Sequence, residues 1–415
     1  MLKDRDIRRV VVARFLSRMS GEAAFFVGIW GKAAFTLHAS AGQIALLMGV
    51  LSLSSIVGTA VAGVLIDRYD PRRVLAAAEF VFVPVALLFL LPKELWQLTV
   101  LVGLFGFFGA PIVTAGASFA PFLAKDREGL TKVNALIDGA GSLSFVLGPA
   151  IGALLVRFAS IDWVFIFDAA TSVIAVLLMM GVHIRRPERT GERRSAFAEL
   201  REGLRFSYSK RGLRYFILIG TATWLGFGAF GALEPLFYRD VLRTGVEAIG
   251  WINTLFGVGI LLGAWALAKL PDRLVSARGL AGGAVLVGLG ALLYVGTRDI
   301  RIVAVGAVAW GAIIGVVDPL LRTLVHADSP DEYVGRVTGV AQMHRQGGEL
   351  LPLAFAPLVA AAIGVQATLI GGGLVLAVVA LLSIPEAIAV DRGRPAGPVH
   401  RERLSADDQP VSPNP

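Results

Sequence analysis

Arg14, Arg18 and Glu22 stand at i, i+4 and i+8 in a largely apolar run. On an α-helix that spacing keeps the three within an arc of ~80°, and Phe26 and Trp30 continue the same face. A stripe that is first charged and then aromatic suits the wall of a wet cavity. Burial and Arg18 pull on a Glu22 proton in opposite senses, so whatever fills the cavity can tip the balance. Glu22 is therefore the first candidate for a proton-carrying carboxylate and Asp138 the second, with Asp318 also in the group. Asp318 and Arg322 form an i,i+4 pair with the acid N-terminal, and Arg345 and Glu349 make a similar pair further on. Such pairs either neutralise one another or, facing a cavity, separate to admit substrate or proton. Glu234, with Phe230 and Phe227 one and two turns before it, could act in this way at an outer gate. The candidate substrate cavity thus takes Arg18, Phe26, Trp30, Phe227, Glu234, Arg322, Arg345 and Glu349. Glu79 and Asp168 are single acids to which the pattern gives no role, and His344 reads as a packed polar residue.

Helices must hold these groups. The chain of 415 residues is 55% hydrophobic and 17% charged, where a soluble domain averages about 25% charged residues. Apolar runs of about 20 residues, the length a ~30 Å hydrocarbon slab asks of a helix, recur along it. Segments such as "ILLGAWALAKL" lack the period-two alternation of a barrel strand. Breaks at charge clusters, Gly and Pro give twelve expected spans: 9–37, 41–66, 73–92, 95–123, 131–157, 161–184, 214–238, 246–269, 279–297, 302–326, 335–363 and 366–389. The first reads as a spanning helix rather than a cleaved signal peptide, since no small-residue cleavage site follows it. An ionisable group at membrane depth costs ~2.5–3.5 kcal/mol on insertion scales, so each one above needs a partner or a task.

Most of the 39 Lys and Arg residues fall at the N-terminus, in the even-numbered connections and at the C-terminus. The positive-inside rule then places both termini and the longest gap in the cytoplasm. The expected organisation is an all-α membrane protein: a six-helix bundle over 1–184, a cytoplasmic loop over 185–213, a second six-helix bundle over 214–390 and a disordered cytoplasmic tail over 391–415. In the loop, Phe197, Leu200, Leu204 and Phe206 lie near helical spacing with arginines opposite. That fits an amphipathic helix on the anionic inner leaflet or a solvated linker. "EPLFYR", Glu234 to Arg239, and "DPLLR", Asp318 to Arg322, echo one another as an inverted repeat would. The net charge of +8 reflects these basic loops; no basic soluble stretch is interleaved with base-stacking aromatics, so no nucleic-acid partner is expected. Cysteine is absent, which excludes disulfides and thiolate metal sites.

The stretch "GVLIDRYDPRRVL", residues 63–75, lies between the second and third expected spans. Gly63, Leu65, Asp67, Arg68, Arg72, Arg73 and Leu75 resemble the signature loop of the major facilitator superfamily, with Asp70 and Pro71 where the usual form has Gly and a basic residue. The resemblance implies two six-helix bundles and a cytoplasmic gate loop made by Gly63, Asp67, Arg68, Arg72 and Arg73. Gly63 would let two helix backbones approach, and Asp67 would pair with the arginines or a neighbouring helix N-terminus. The corresponding loop of the second half keeps this pattern only loosely, with Gly263 at the place of Gly63. In the fifth span, Gly141, Gly148, Pro149 and Gly152 resemble the Gly-Pro motif of proton-antiporting exporters, whose glycine stripe would seal one side of the path. "FFGAPIVTAGASFAPFLA", "LTKVNAL", "ELREGLRF" and "DEYVGRVTGV" are similar to segments of the macrolide- and siderophore-exporter group, where a Gly-acid pair often stands at the position of Gly21 and Glu22.

The expected function is proton-coupled export of an amphipathic small molecule by alternating access, from a monomer in the inner membrane, with protons, lipid and the substrate as its only partners and no cofactor or metal. Import or facilitated diffusion of a nutrient or lysolipid is the alternative within transport. A polytopic enzyme or receptor is the alternative outside it, disfavoured because HExxH, GxSxG and GxxxxGK[ST] are all absent from the sequence.

Overall fold

The computed structural model describes residues 4–124, 126–183, 196–269, 271 and 274–394. Short polar caps start many of its helices. Helix α1, Arg5–Ala23, begins at Asp4, whose carboxylate accepts the Asp6 N–H at 3.0 Å. It runs on through π-helical turns at Ala24–Ile29 and Lys32–Thr36. Helix α2, Ala41–Arg68, opens on a reciprocal Ser40–Gln43 capping box. Helix α3, Pro71–Leu88, has Asp70 as its cap and Pro71 in its first turn, and Asp70 accepts the Arg72 N–H at 2.8 Å. The unusual Asp70–Pro71 pair is thus a helix start, with proline where its missing N–H and fixed φ are tolerated. Helices α4 (Leu95–Ala117), α5 (Ala120–Leu123), α6 (Arg127–Phe158) and α7 (Asp162–Met180) complete the first half.

Helix α8, Ala196–Ser209, precedes the second half. There α9 (Arg211–Leu236) ends in a π turn at Phe237–Leu242, followed by α10 (Val246–Leu267), α11 (Ala277–Val295), α12 (Ile300–Ala327), α13 (Val334–Ile363), α14 (Val365–Leu382) and α15 (Ile384–Arg392). Among the described residues, ten helices are long and apolar enough to cross a membrane. Helices α1 and α3, at the other two expected positions, carry charges: Arg5, Arg8 and Arg9 in one, Arg72, Arg73 and Glu79 in the other. Phe80, Leu91, Leu177, Phe355, Leu358 and Leu382 are exposed, an apolar belt that suits hydrocarbon rather than water.

The two halves repeat one packing scheme. In the first, α2 packs on α4, α1 on α6 and α3 on α7; in the second, α10 packs on α12, α9 on α13 and α11 on α14. The halves meet through α6 on α10 and α2 on α13, which are equivalent pairs under that scheme. Even the first helix of each half ends alike, in a π turn followed by a non-glycine residue with positive φ, His38 at 50° and Arg243 at 54°.

Two expectations change. Helix α8 packs on α13: Gly203 and Ser207 are buried, Phe206 stacks on Tyr333 at 4.1 Å, and Arg336 pairs with Glu202 at 2.9 Å. The small face of the helix, one turn apart, makes this contact, and the Phe197 side chain lies outside the described residues. Asp391, assigned by composition to a disordered tail, instead accepts the N–H groups of Ala277 and Arg278 at 2.8 and 3.1 Å, capping α11 from α15. Arg394 pairs with Asp328 at 2.7 Å; the rest of the tail lies outside the described residues.

Candidate functional site

A cavity of about 560 Å³ lies between the halves. Phe26, Trp30, Phe227, Glu234, Asp318, Arg322, Arg345 and Glu349 all line it. Its aromatic wall is a mutually packed cluster: Trp310 lies 5.1 Å from Phe227, 4.7 Å from Phe230 and 5.3 Å from Tyr294, centre to centre. Glu234 is buried in that wall and accepts hydrogen bonds from Tyr294 at 2.5 Å and Tyr238 at 3.2 Å. Asp318 holds Arg322 at 2.5 Å and also Arg345 at 3.7 Å. The expected Arg345–Glu349 pair is therefore not the ion pair Arg345 makes: its guanidinium turns to Asp318 and lies 4.0 Å above the Trp224 ring, a cation–π contact. One carboxylate thus serves two arginines. His344 accepts or donates a hydrogen bond with Tyr208 at 2.7 Å, tying α13 to α8.

Arg18 and Glu22 do not join this wall. They pair with one another at 2.9 Å and line a second cavity of about 320 Å³ inside the first half, which adjoins the first at Phe25 and Leu51. The physical reason is the π turn at Ala24–Ile29. A uniform α-helix keeps i, i+4, i+8 and i+12 on one stripe; a π turn holds more residues and rotates the segment beyond it. The charged and aromatic ends of the expected stripe consequently face different cavities. Glu79 and Asp168, which had no role, line this second cavity too. Asp138 is exposed on α6, on the side facing Arg14, and lines neither cavity.

The Gly-Pro motif sits where three helices meet. A methyl placed on Gly148 would lie 2.5 Å from the Met19 carbonyl oxygen and 2.7 Å from Glu22 Cβ, so the motif abuts the candidate carboxylate. Gly152 faces Val27, and the Pro149 carbonyl lies against Gly250 of α10. Gly141, by contrast, has nothing within 4 Å, so the stripe is packed only over its second part. Gly63 likewise faces open space, and the close backbone approach expected there is absent. In the loop after it, Arg72 donates to the Val182 carbonyl at 2.7 Å within its own half. Arg68 and Arg73 are exposed, and the Asp67 side chain lies outside the described residues.

The halves are also joined directly at one end. There, Arg239 donates to the carbonyls of Ala34 and Ala39 at 2.8 and 3.1 Å across the two halves, and Gly31 packs on Val246. Toward the other end, Gly139 and Gly141 of α6 and Gly335 and Gly339 of α13 have nothing within 4 Å. Charge-assisted bonds to two carbonyls are worth on the order of 1.5–3 kcal/mol each. Arg239→Ala is expected to shift the distances between the halves at this end, since it removes both bonds. Because the chain has no cysteine, spin labels placed on introduced cysteines at both ends would read that shift directly as distance distributions.

A sequence profile of the Major Facilitator Superfamily matches residues 10–352 and 216–407. The chain belongs to this superfamily. Among its relatives in the superfamily, the uncharacterized MFS-type transporter YfiS of Bacillus subtilis is 26% identical over 88% of this chain and 89% of its own length. The multidrug efflux pump Tap of Mycobacterium tuberculosis is 26% identical over 83% of this chain and 85% of its own. The enterobactin exporter EntS of Escherichia coli is 28% identical over 80% of both chains. The crystal structure of the nucleoside transporter NupG superposes with a TM-score of 0.72 over 92% of this chain and 99% of its own, at 12% identity, a likeness of fold. The protein is therefore a transporter rather than an enzyme.

Spacing missed Tyr238, Tyr294, Asn253, Trp224 and Trp310, all near Glu234 or in its cavity wall. Tyr238 lies four residues after Glu234 and Trp224 three before Phe227, so a wider helical stripe would have found both. Tyr294 and Trp310 come from other helices, and no local spacing announces them.

Proposed function

We propose that the protein exports an amphipathic small molecule in exchange for protons, as a monomer in the inner membrane. Twelve helices cross the bilayer in this reading, with both termini and the loop over 185–213 in the cytoplasm. The open end of the path is then cytoplasmic, and the two halves rock about the midplane. The observation that carries the reading is the cavity between the halves, with an aromatic wall and the Asp318–Arg322–Arg345 group, adjoining a second cavity that holds Glu22. Aromatic faces accept a lipophilic body, while the charges orient a polar group. The names of Tap and EntS support efflux of a drug-like or siderophore-like compound. Glu22, Asp138 and Asp318 are the proton-coupling candidates, and the loop from Gly63 to Arg73 is the cytoplasmic gate.

Reconstituted vesicles with an imposed pH gradient test this. A fluorescent lipophilic probe is expected to move against its own gradient when protons flow the other way, and to stop when an uncoupler collapses the pH difference. Flux that ignores the pH gradient would overturn the coupling, and flux with the protons would establish import.

A further inference from the structure

Glu79 and Asp168 are more enclosed than any carboxylate assigned above: their exposures are 0% and 2%. Glu79, on α3, accepts a hydrogen bond from Ser17 of α1, and Ser172 of α7 lies beside it. Asp168, on α7, accepts the Ser20 hydroxyl of α1 at 2.6 Å, and Ser20 in turn accepts from Thr171 at 2.7 Å. Each acid therefore has one oxygen engaged. Among the described residues, the other oxygens, Oε2 of Glu79 and Oδ2 of Asp168, are buried without a hydrogen bond of good geometry, the Ser172 hydroxyl being the group beside Glu79.

The charges around the pair do not balance. The second cavity is lined by Arg14 from α1, Arg18 and Glu22 from α1, Glu79 from α3 and Asp168 from α7, with only apolar and small residues from α4. Arg18 is taken by Glu22. Arg14 donates to the Val113 carbonyl at 3.0 Å and is, among the described residues, the one remaining cation lining this cavity; it also faces Asp138 on α6. Glu79 thus faces a guanidinium that Asp138 also shares, and Asp168 faces Glu79 with no cation shown against it among the described residues. An isolated ionised carboxylate in such surroundings is far costlier than a neutral acid, and two nearby acids share a proton more readily than both ionise. A proton is the smallest charge that restores balance.

We propose that Glu79 and Asp168 form a proton-binding site of the first half, holding one proton between them at neutral pH and exchanging it through the cavity that also contains Glu22. The proton sits on one carboxyl oxygen and leaves to water in that cavity, with no bond to carbon formed or broken. Because α1 supplies Ser17 and Ser20 while α3 and α7 supply the acids, movement of α1 relative to them removes the hydroxyl donors and changes the hold on the proton. The site stands on its own geometry; only its use in coupling rests on the exporter reading.

Infrared difference spectroscopy of the full chain in lipid nanodiscs tests it at neutral pH, where a protonated carboxyl group has its own carbonyl stretch. Wild type and E22Q are expected to show that band, and E79Q/D168N to lose the equivalent of one group per chain. Ser20→Ala keeps both acids and removes the donor to Asp168, so it is expected to shift the band. A double variant with an unaltered band, no shift in Ser20→Ala, or a band lost when sodium replaces potassium would each overturn the proposal, the last by making this a sodium site. Probe flux in vesicles, measured on the same protein, reads the coupling separately: a band present with pH-indifferent flux supports the site and removes the exporter coupling.

Discussion

Glu22→Gln is expected to cut proton-driven accumulation sharply while leaving a folded protein that still binds the probe. Glutamine keeps the shape and can still hydrogen-bond Arg18, now paired with the carboxylate at 2.9 Å, but it cannot carry a proton. A charge moved through 100 mV is worth ~2.3 kcal/mol, and about 1.4 kcal/mol is tenfold in a ratio. Removing one proton per cycle should therefore lower the probe gradient sustained at 100 mV by roughly 50-fold. Downhill counterflow at zero potential, which needs only rocking, should fall far less. The readouts are probe ratios in vesicles with a clamped potential and binding by fluorescence quenching. An unchanged gradient in Glu22→Gln would move coupling to the other carboxylates.

Gly263→Val should damage the fold severely. A β-carbon there would lie 2.0 Å from the Ala312 carbonyl oxygen, where α10 crosses α12. The obstacle is backbone, so neither helix can yield by a side-chain turn, and the crossing must widen. Overpacking costs of about 1–3 kcal/mol are usual, and this one belongs at or above the top of that range. Thermal unfolding in detergent should show a fall of several degrees or no folded monomer. Gly371→Val, at a helix position with nothing within 4 Å, should stay within ~0.5 kcal/mol of wild type.

The pair Gly63 and Gly263 shows how far the sequence can be read. Both match one loop motif, yet Gly263 makes a backbone contact and Gly63 faces open space. A motif names the residue types, while the tightness of a crossing depends on which way each helix is rotated in its bundle. The apolar runs locate the helices because hydrocarbon length is a one-dimensional constraint. Cavity residues such as Phe227 and Glu349 are legible because spacing and chemistry agree. Spacing puts Arg18 and Glu22 on the wrong wall because no composition marks a π turn. Glu79 and Asp168 stay without a role for another reason: their partners Ser17, Ser20 and Thr171 lie on other turns or helices, and serine and threonine in an apolar run pass as packing residues. Arg345 shows the same limit, since its choice of Asp318 over Glu349 is made in three dimensions.

The π turns at the ends of the first helix of each half bear on mechanics. A regular α-helix transmits a push along its axis almost undiminished, whereas an i→i+5 turn has looser, longer-range hydrogen bonding and can slip register by a residue. Both turns stand beside the contacts that join the halves at one end, ahead of His38 in one half and Arg243 in the other. Under the proposed rocking of the halves, the motion would meet its softest backbone at matching places, and deformation would gather at two short springs while the remaining helices move as stiff rods.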